Sequence, residues 1–292
     1  MTKISAPIFT TMNSELKSTG HFEPLHDAHA IEQVQISIVL EQPLNTETFA
    51  SVRKAAKVFE SELPGGAELQ FISFGQAPLV FTTGPGQMAS SGFVMQRSAP
   101  NGVIEAELRI ERTGIAYRTT LYTRWDAILT QFGKYLKALI ATYVAKTRVT
   151  HVTLNYVDKF VWAGDKADCH PKLMLRENSI YLPPYAYDSP DLWHSHTGAF
   201  IPIDSQTKRL LNVNVDHLDE QIRGEPRRLV SITTVLTDML NQAGLEPLSL
   251  SPEEAFDKLH QRLFLLHEQS KLYFGEVIAD DMCKRIALSW KK

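Results

Sequence analysis

The chain has 292 residues, of which 43% are hydrophobic and 22% charged. This ordinary globular composition excludes a collagen-like, low-complexity or wholly disordered protein. Thirty basic and thirty-three acidic residues give a net charge of -3, so no global field attracts nucleic acid or anionic lipid.

Cellular location is predicted from the cysteines and from the apolar runs. The two cysteines, Cys169 and Cys283, are far apart in sequence, which excludes a CxxC redox pair and favours a reducing compartment. Residues 1–9 lack an apolar signal region, and no run of about 18 apolar residues occurs. We therefore expect a soluble, cytoplasmic protein that does not contact membranes.

Hydrophobic periodicity predicts the elements in chain order. Residues 1–22 form an irregular arm, and a glycine-rich loop occupies 82–92. Apolar residues three and four apart predict helices at 49–63 and 125–143, and Ser251 begins a third helix with a capping box. A short helix at 280–288 closes the chain. Period-2 alternation predicts strands at 31–42, 69–74, 93–98, 103–112, 115–122, 150–162, 194–203, 210–218 and 229–240, although the spacing at 229–240 also fits a helix.

The domain organisation follows from a turn-rich segment at 171–190. It divides the chain into an α+β half at 23–165 and a second α+β half at 166–292. We therefore predict an α+β fold in which antiparallel sheets are covered by long helices, with two similar halves.

Three segments resemble a sporadically distributed family of uncharacterised bacterial proteins of about this length. They are Pro24-Leu25 with residues 30–34, residues 152–160, and residues 259–264 with Tyr273-Phe274. The resemblance implies a shared two-part α+β architecture and supplies no catalytic residue. A patchy distribution is similar to that of defence-associated gene cassettes, which is an association only.

A divalent metal site is one hypothesis for the second half of the chain. His194 and His196 point to the same side of a predicted strand, and Asp216 and His217 follow on the next strand. Imidazole and carboxylate groups suit zinc, iron or manganese. The alternative is that these are ordinary surface histidines, and no cofactor is otherwise predicted.

Two further groups are polar. Asp158 falls in an otherwise apolar strand row beside Asn155, so we expect a buried polar network with an ion-pair or hydrogen-bond partner. Arg118, Arg148 and Lys159 are candidate partners.

The densest basic group, near one predicted turn, is a candidate site for phosphate or an acidic partner, with a solvated turn as the alternative. Its members are Lys208, Arg209, Arg223, Arg227 and Arg228.

The segment 181–193 is rich in aromatic residues and proline, and aromatic residues are common anchors of protein interfaces. The alternative is a loop that folds back over the core. The interface candidates are Tyr181, Tyr185, Tyr187 and Trp193.

No recognisable catalytic motif occurs, so the leading hypothesis is a non-enzymatic binding or protein-interaction protein. Its partner is another protein or a second copy of this chain, and a bacterial defence or toxin–antitoxin-like system is the associated context. The first alternative is a metal-dependent hydrolase or nuclease, and the second is a nucleic-acid-binding protein.

Overall fold

The computed structural model describes residues 20–74, 77–82, 90–241 and 248–290. Most of the predicted arm, residues 1–19, lies outside the described residues, as do residues 83–89 of the predicted glycine-rich loop.

Eleven strands and five α-helices form the described structure. The strands are β1 (His21–Pro24), β2 (Ile31–Leu40), β3 (Gly65–Phe74), β4 (Ala77–Thr82), β5 (Ser90–Ser98), β6 (Ile104–Glu111), β7 (Gly114–Thr119), β8 (Val149–Ala163), β9 (Trp193–Pro202), β10 (Thr207–Ile222) and β11 (Glu225–Leu240). The helices are α1 (Thr46–Ala56), α2 (Trp125–Tyr143), α3 (Tyr185–Asp188), α4 (Pro252–Gly275) and α5 (Asp280–Arg285).

All eleven strands belong to one antiparallel sheet, with the order β4-β3-β5-β6-β7-β2-β8-β11-β10-β9, and β1 pairs with the far end of β8. The prediction of sheets covered by long helices in two similar halves is therefore wrong. The strands hold more residues than the helices, and β8 and β11, from opposite sides of the expected boundary, pair continuously from Val161↔Leu229 to His151↔Met239. Hydrogen bonds thus join the two expected halves.

The turn-rich segment predicted as a boundary returns to the body of the protein. Leu175 forms a β-bridge with Ile278, and the Arg176 amide donates to the Val277 carbonyl at 2.8 Å. Met174 and Leu175 are buried. Proline and turn residues here end regular structure without separating two cores.

The side chains of β8 alternate between the two faces of the sheet. One face is buried against the helices and carries the even-numbered residues, Val152, Leu154, Tyr156, Asp158, Phe160 and Trp162. On β11, Leu236, Thr234 and Ile232 lie opposite Leu154, Tyr156 and Asp158. The other face is polar and half-buried, with Thr153, Asn155 and Thr233 among its residues.

The helices pack on one another as well as on the sheet. Helix α2 contacts both α1 and α4, and α4 contacts β8 and β11. The predicted capping box is confirmed, because Ser251 and Glu254 exchange backbone and side-chain hydrogen bonds at the start of α4. In the described part of the chain, no helix is long and apolar enough to cross a membrane.

A buried ion pair ties β10, β11 and α4 together. Arg209 donates two hydrogen bonds to the Asp238 carboxylate, from Nε at 2.6 Å and from Nη2 at 3.1 Å. Arg262 of α4 donates to the same carboxylate at 3.1 Å. Arg209 is 4% exposed and Asp238 is 1% exposed. Removing one member would leave the others as uncompensated charges in the interior.

We expect Asp238→Ala to lower the free energy of unfolding by about 3–5 kcal/mol, because it leaves the buried Arg209 guanidinium without its counter-charge. Urea titration would measure this loss. The matched control is Glu105→Ala, which removes the more exposed Arg97–Glu105 pair and should cost no more than about 1 kcal/mol. Equal losses in the two variants would contradict a structural role for the buried pair.

Candidate ligand-binding site

A cavity of about 550 Å³ lies between the sheet and the helices. Its floor is formed by Tyr156 and Asp158 of β8 and Thr234 of β11. Four chain segments supply its walls and mouth: residues 28–31 before β2, residues 122–126 at the start of α2, the C-terminal part of α4, and residues 286–289 after α5. We refer to it below as the Asp158 cavity.

The position of Asp158 follows from a change of strand partner along β8. Beside Asp158 the neighbouring strand is β2, whose register shifts between Ile31 and Gln33. Two residues later, at Phe160, the neighbour is β1. The chain between these two strands loops over the sheet, where Ala28, His29 and Ala30 line the cavity. Asp158 therefore lies where the strand partner of β8 changes from β2 to β1.

Asp158 is only 4% exposed. Desolvation by burial raises the pKa of its carboxyl from 3.8 to about 8. Within the described residues, no hydrogen bond or salt bridge reaches this carboxyl. A buried carboxyl of this kind can exchange a proton with its surroundings near neutral pH and can either donate or accept a hydrogen bond.

Three more buried polar atoms in cavity-lining residues have no hydrogen-bond partner among the residues described: His29 Nδ1, Trp125 Nε1 and Thr234 Oγ1. The other ring nitrogen of His29 lies 3.1 Å from the Tyr122 carbonyl oxygen and must donate to it, so Nδ1 of the neutral ring is an acceptor. Buried polar groups are paired in the great majority of proteins. With the Asp158 carboxyl, four polar groups around this cavity have no partner among the described side chains.

Aromatic rings form much of the cavity wall. Trp125 stacks on His267 with 4.4 Å between ring centroids, and Tyr122 meets Tyr156 edge-on at 6.1 Å. The Tyr156 hydroxyl lies 3.0 Å from His267 Nδ1. Burial lowers the pKa of His267 to about 4, so its imidazole is neutral at physiological pH. Burial also raises the pKa of Tyr122 to about 12, which keeps its hydroxyl protonated.

The sequence pointed to Asp158 but not to its surroundings. Asn155 lies on the opposite face of β8, so the two residues do not form one network. Lys159 bonds Glu32 and Glu220, each at 2.7 Å. The other two candidate partners are also paired elsewhere: Arg118 with Gln33 and Glu107, and Arg148 with Glu41. The partner expected for Asp158 is absent from the described residues.

The four metal-ligand candidates are only partly brought together. The rings of His194 and His196 are 5.3 Å apart, and His196 Nε2 lies 3.8 Å from Asp216 Oδ1. His217 is buried on the opposite face of β10, because adjacent strand residues point to opposite sides. Over the described ranges, no group of three or more His, Cys, Asp or Glu side chains is placed to hold a metal ion.

His217 has a partner that the sequence did not suggest. Its Nε2 lies 3.5 Å from the Cys169 sulfur, and its Nδ1 lies 2.9 Å from the Asp191 carbonyl oxygen. Burial raises the pKa of the Cys169 thiol to about 12 and lowers the pKa of His217. The pair is therefore neutral, and the thiolate needed for nucleophilic attack is disfavoured.

The structure does not place the five basic candidates together: they are Lys208, Arg209, Arg223, Arg227 and Arg228. Strand β10 has sixteen residues, so at about 3.3 Å per residue its ends are about 50 Å apart along the strand. Lys208 and Arg209 lie at one end, and Arg223 lies in the turn at the other. Arg209 is buried against Asp238, and Arg228 bonds Asp219 at 2.6 Å.

The four aromatic interface candidates largely contact their own chain: they are Tyr181, Tyr185, Tyr187 and Trp193. The Tyr187 hydroxyl donates to the Arg176 carbonyl at 2.8 Å, and the Tyr185 hydroxyl donates to the His194 carbonyl at 2.9 Å. Tyr181, Tyr187 and Trp193 pack against the core, while Tyr185 is half-exposed. These contacts match the alternative of a loop that covers the core.

Comparisons with known proteins give no match: no family model, no curated protein and no solved structure matches the chain. The resemblance to a sporadically distributed bacterial family therefore stays a prediction.

Asp158 should make stability depend on pH in a direction that is unusual for an aspartate. As the pH rises from about 4 to about 8, the unfolded chain releases this proton while the folded chain keeps it. This group alone should therefore lower the free energy of unfolding by up to about 1.4 kcal/mol per pH unit across that window. Above about pH 8 the loss should level off.

Asp158→Asn removes this ionisation, so its stability relative to the native chain should increase between about pH 5 and pH 8 and then stay constant. Urea unfolding at several pH values measures the difference. The control is Asp257→Asn, at an exposed carboxylate on α4. Its effect on the free energy of unfolding should change by less than about 0.5 kcal/mol between pH 5 and pH 8. A pH-independent difference for Asp158→Asn would show that the carboxyl is not desolvated.

Proposed function

We propose that this protein is a non-enzymatic binding protein and that its ligand is a small organic molecule held in the Asp158 cavity. One observation carries the proposal: a buried carboxyl without a partner among the described residues lies on the floor of this cavity. Perturbed carboxyl groups in clefts are enriched at functional sites.

The size and chemistry of the cavity support a small-molecule ligand. Binding pockets for small molecules usually enclose about 300–1,000 Å³ and combine apolar walls with a few polar groups. The Asp158 cavity has a volume of about 550 Å³, and Tyr122, Trp125 and Phe274 line it together with unpartnered atoms of His29 and Thr234. A ligand with matching groups would satisfy those atoms.

The cost of Asp158 to the free energy of folding is a second reason to propose a ligand. An unpaired buried carboxyl destabilises a fold, and an apolar side chain at the same place would remove that penalty. The even-numbered row of β8 is otherwise apolar or aromatic, with Leu154 and Phe160 near Asp158. A carboxyl at this position, without a partner among the described residues, supports a role in binding.

The other hypotheses have less geometric support. Among the described residues, no three of the metal candidates are placed to hold a metal ion, and His217 lies on the opposite face of β10 from Asp216. The aromatic segment contacts its own chain, and the basic residues are divided between the two ends of β10. The Asp158 cavity is therefore the preferred site.

The proposal can be tested with the protein purified from its own cells. Native mass spectrometry of the full chain should show a retained small molecule, and calorimetry with that compound should give its affinity. Thr234→Met would extend a larger side chain into the cavity, so we expect at least a tenfold loss of affinity. Thr233→Met, one residue away on the polar face of β11, should leave the affinity unchanged.

Equal effects of the two methionine substitutions would place the ligand outside the cavity. A chain that carries no compound, and whose unfolding temperature no member of a metabolite collection raises, would contradict a binding function.

A further inference from the structure

The sheet contains two buried aspartates on its helix-facing side, Asp158 on β8 and Asp238 on β11. The two differ in their surroundings. Asp238 receives hydrogen bonds from the guanidinium groups of Arg209 and Arg262. Asp158 has no cation beside it within the part of the chain that the structure describes. The fold thus supplies the counter-charge at one aspartate and leaves it unsupplied at the other.

The cavity around Asp158 has the features of a site for an organic cation. A cation is attracted to the faces of aromatic rings, most strongly when water is excluded. Rings of Tyr122, Trp125 and Tyr156 line this cavity, and their centroids are about 6 Å apart at the Tyr122–Tyr156 and Trp125–Tyr156 contacts. A desolvated carboxylate next to such rings favours an ammonium group over a neutral one.

We infer, on the basis of the proposed binding function, that the ligand carries an ammonium group which lies between the Asp158 carboxylate and the rings of Tyr122, Trp125 and Tyr156. The ammonium group supplies a positive charge to Asp158, as Arg209 and Arg262 do to Asp238.

Binding of the ammonium group transfers the Asp158 proton to solvent, so affinity depends on pH. Burial lowers the pKa of both cavity histidines, His29 and His267, and raises the pKa of both tyrosines, Tyr122 and Tyr156. These four groups are therefore neutral from about pH 7 to pH 9. Four charged residues at the mouth carry two charges of each sign: Arg124, Asp126, Glu268 and Lys271.

The test uses two pairs of probes: cyclohexylamine with cyclohexanol, and 2-phenylethylamine with 2-phenylethanol. Each pair has nearly the same shape and differs in charge. Binding to the full chain is followed through the indole NH signal of Trp125, which is identified among the four tryptophan signals by its loss in Trp125→Phe.

At pH 9 each amine should bind at least tenfold more tightly than its alcohol. Lowering the pH to 7 should weaken amine binding by about tenfold, because a carboxyl with a pKa of about 8 becomes mostly protonated. Alcohol binding should not weaken. Asp158→Asn should reduce the amine affinity to that of the alcohol, whereas Thr233→Val should not alter it.

Three results would overturn the inference, and they are distinguishable. If amines and alcohols bind equally and move the Trp125 signal, the cavity binds small molecules but does not select a cation, and the proposed function stands. If no probe moves that signal and none raises the unfolding temperature, the inference fails, and the proposed function fails with it when the chain purified from its own cells also carries no compound. Tighter amine binding that persists in Asp158→Asn would assign the selectivity to another group.

Discussion

The pairing of β8 on both of its edges is the constraint on which the rest of the structure depends. Antiparallel β11 lies along one edge, and β2 followed by β1 lies along the other. A strand paired on both sides has little freedom to shift its register, because a slip of one residue would turn its buried row to the opposite face. The register therefore determines which side chains of β8 face α4 and which face the polar side.

The same constraint produces the Asp158 cavity. With Leu154, Tyr156 and Phe160 fixed on the helix side, Asp158 must lie there too, since it belongs to the same alternating row. Beside this residue the strand partner of β8 changes from β2 to β1, and residues 28–30 between those two strands line the cavity. Helices α2 and α4 complete the walls. Strand pairing thus places the carboxyl, and the helices enclose the space above it.

Local elements could be predicted from the sequence, whereas their assembly could not. The helix at Trp125–Tyr143 and the capping box at Ser251 depend on neighbours within one or two turns, so periodicity and residue type were sufficient. Asp158 stood out because it interrupts an apolar row. By contrast, pairing between β8 and β11 joins residues about 70–90 positions apart, and no local pattern specifies the partner of a strand. For this reason, the continuous sheet was missed, and the aromatic residues of the cavity could not be assigned to one site. Thr234 offered only a weak indication of the site: it is a polar residue between the apolar Ile232 and Leu236 on the same side of β11.

Asp158 and Asp238 show how one sheet face can use the same side chain in two ways. At Asp238, charge-assisted hydrogen bonds from β10 and α4 offset the desolvation of the carboxylate, so the group contributes to the arrangement of these elements. At Asp158 the desolvation is not offset by any described residue, and it appears as a pKa raised to about 8. A protein can retain such a penalty when the folded state gains a ligand that removes it, because any compound that binds only the folded chain also stabilises that chain. Under the proposed function, ligand binding offsets the desolvation of the Asp158 carboxyl, so the selectivity of the site and the cost of this carboxyl to folding would have one physical origin.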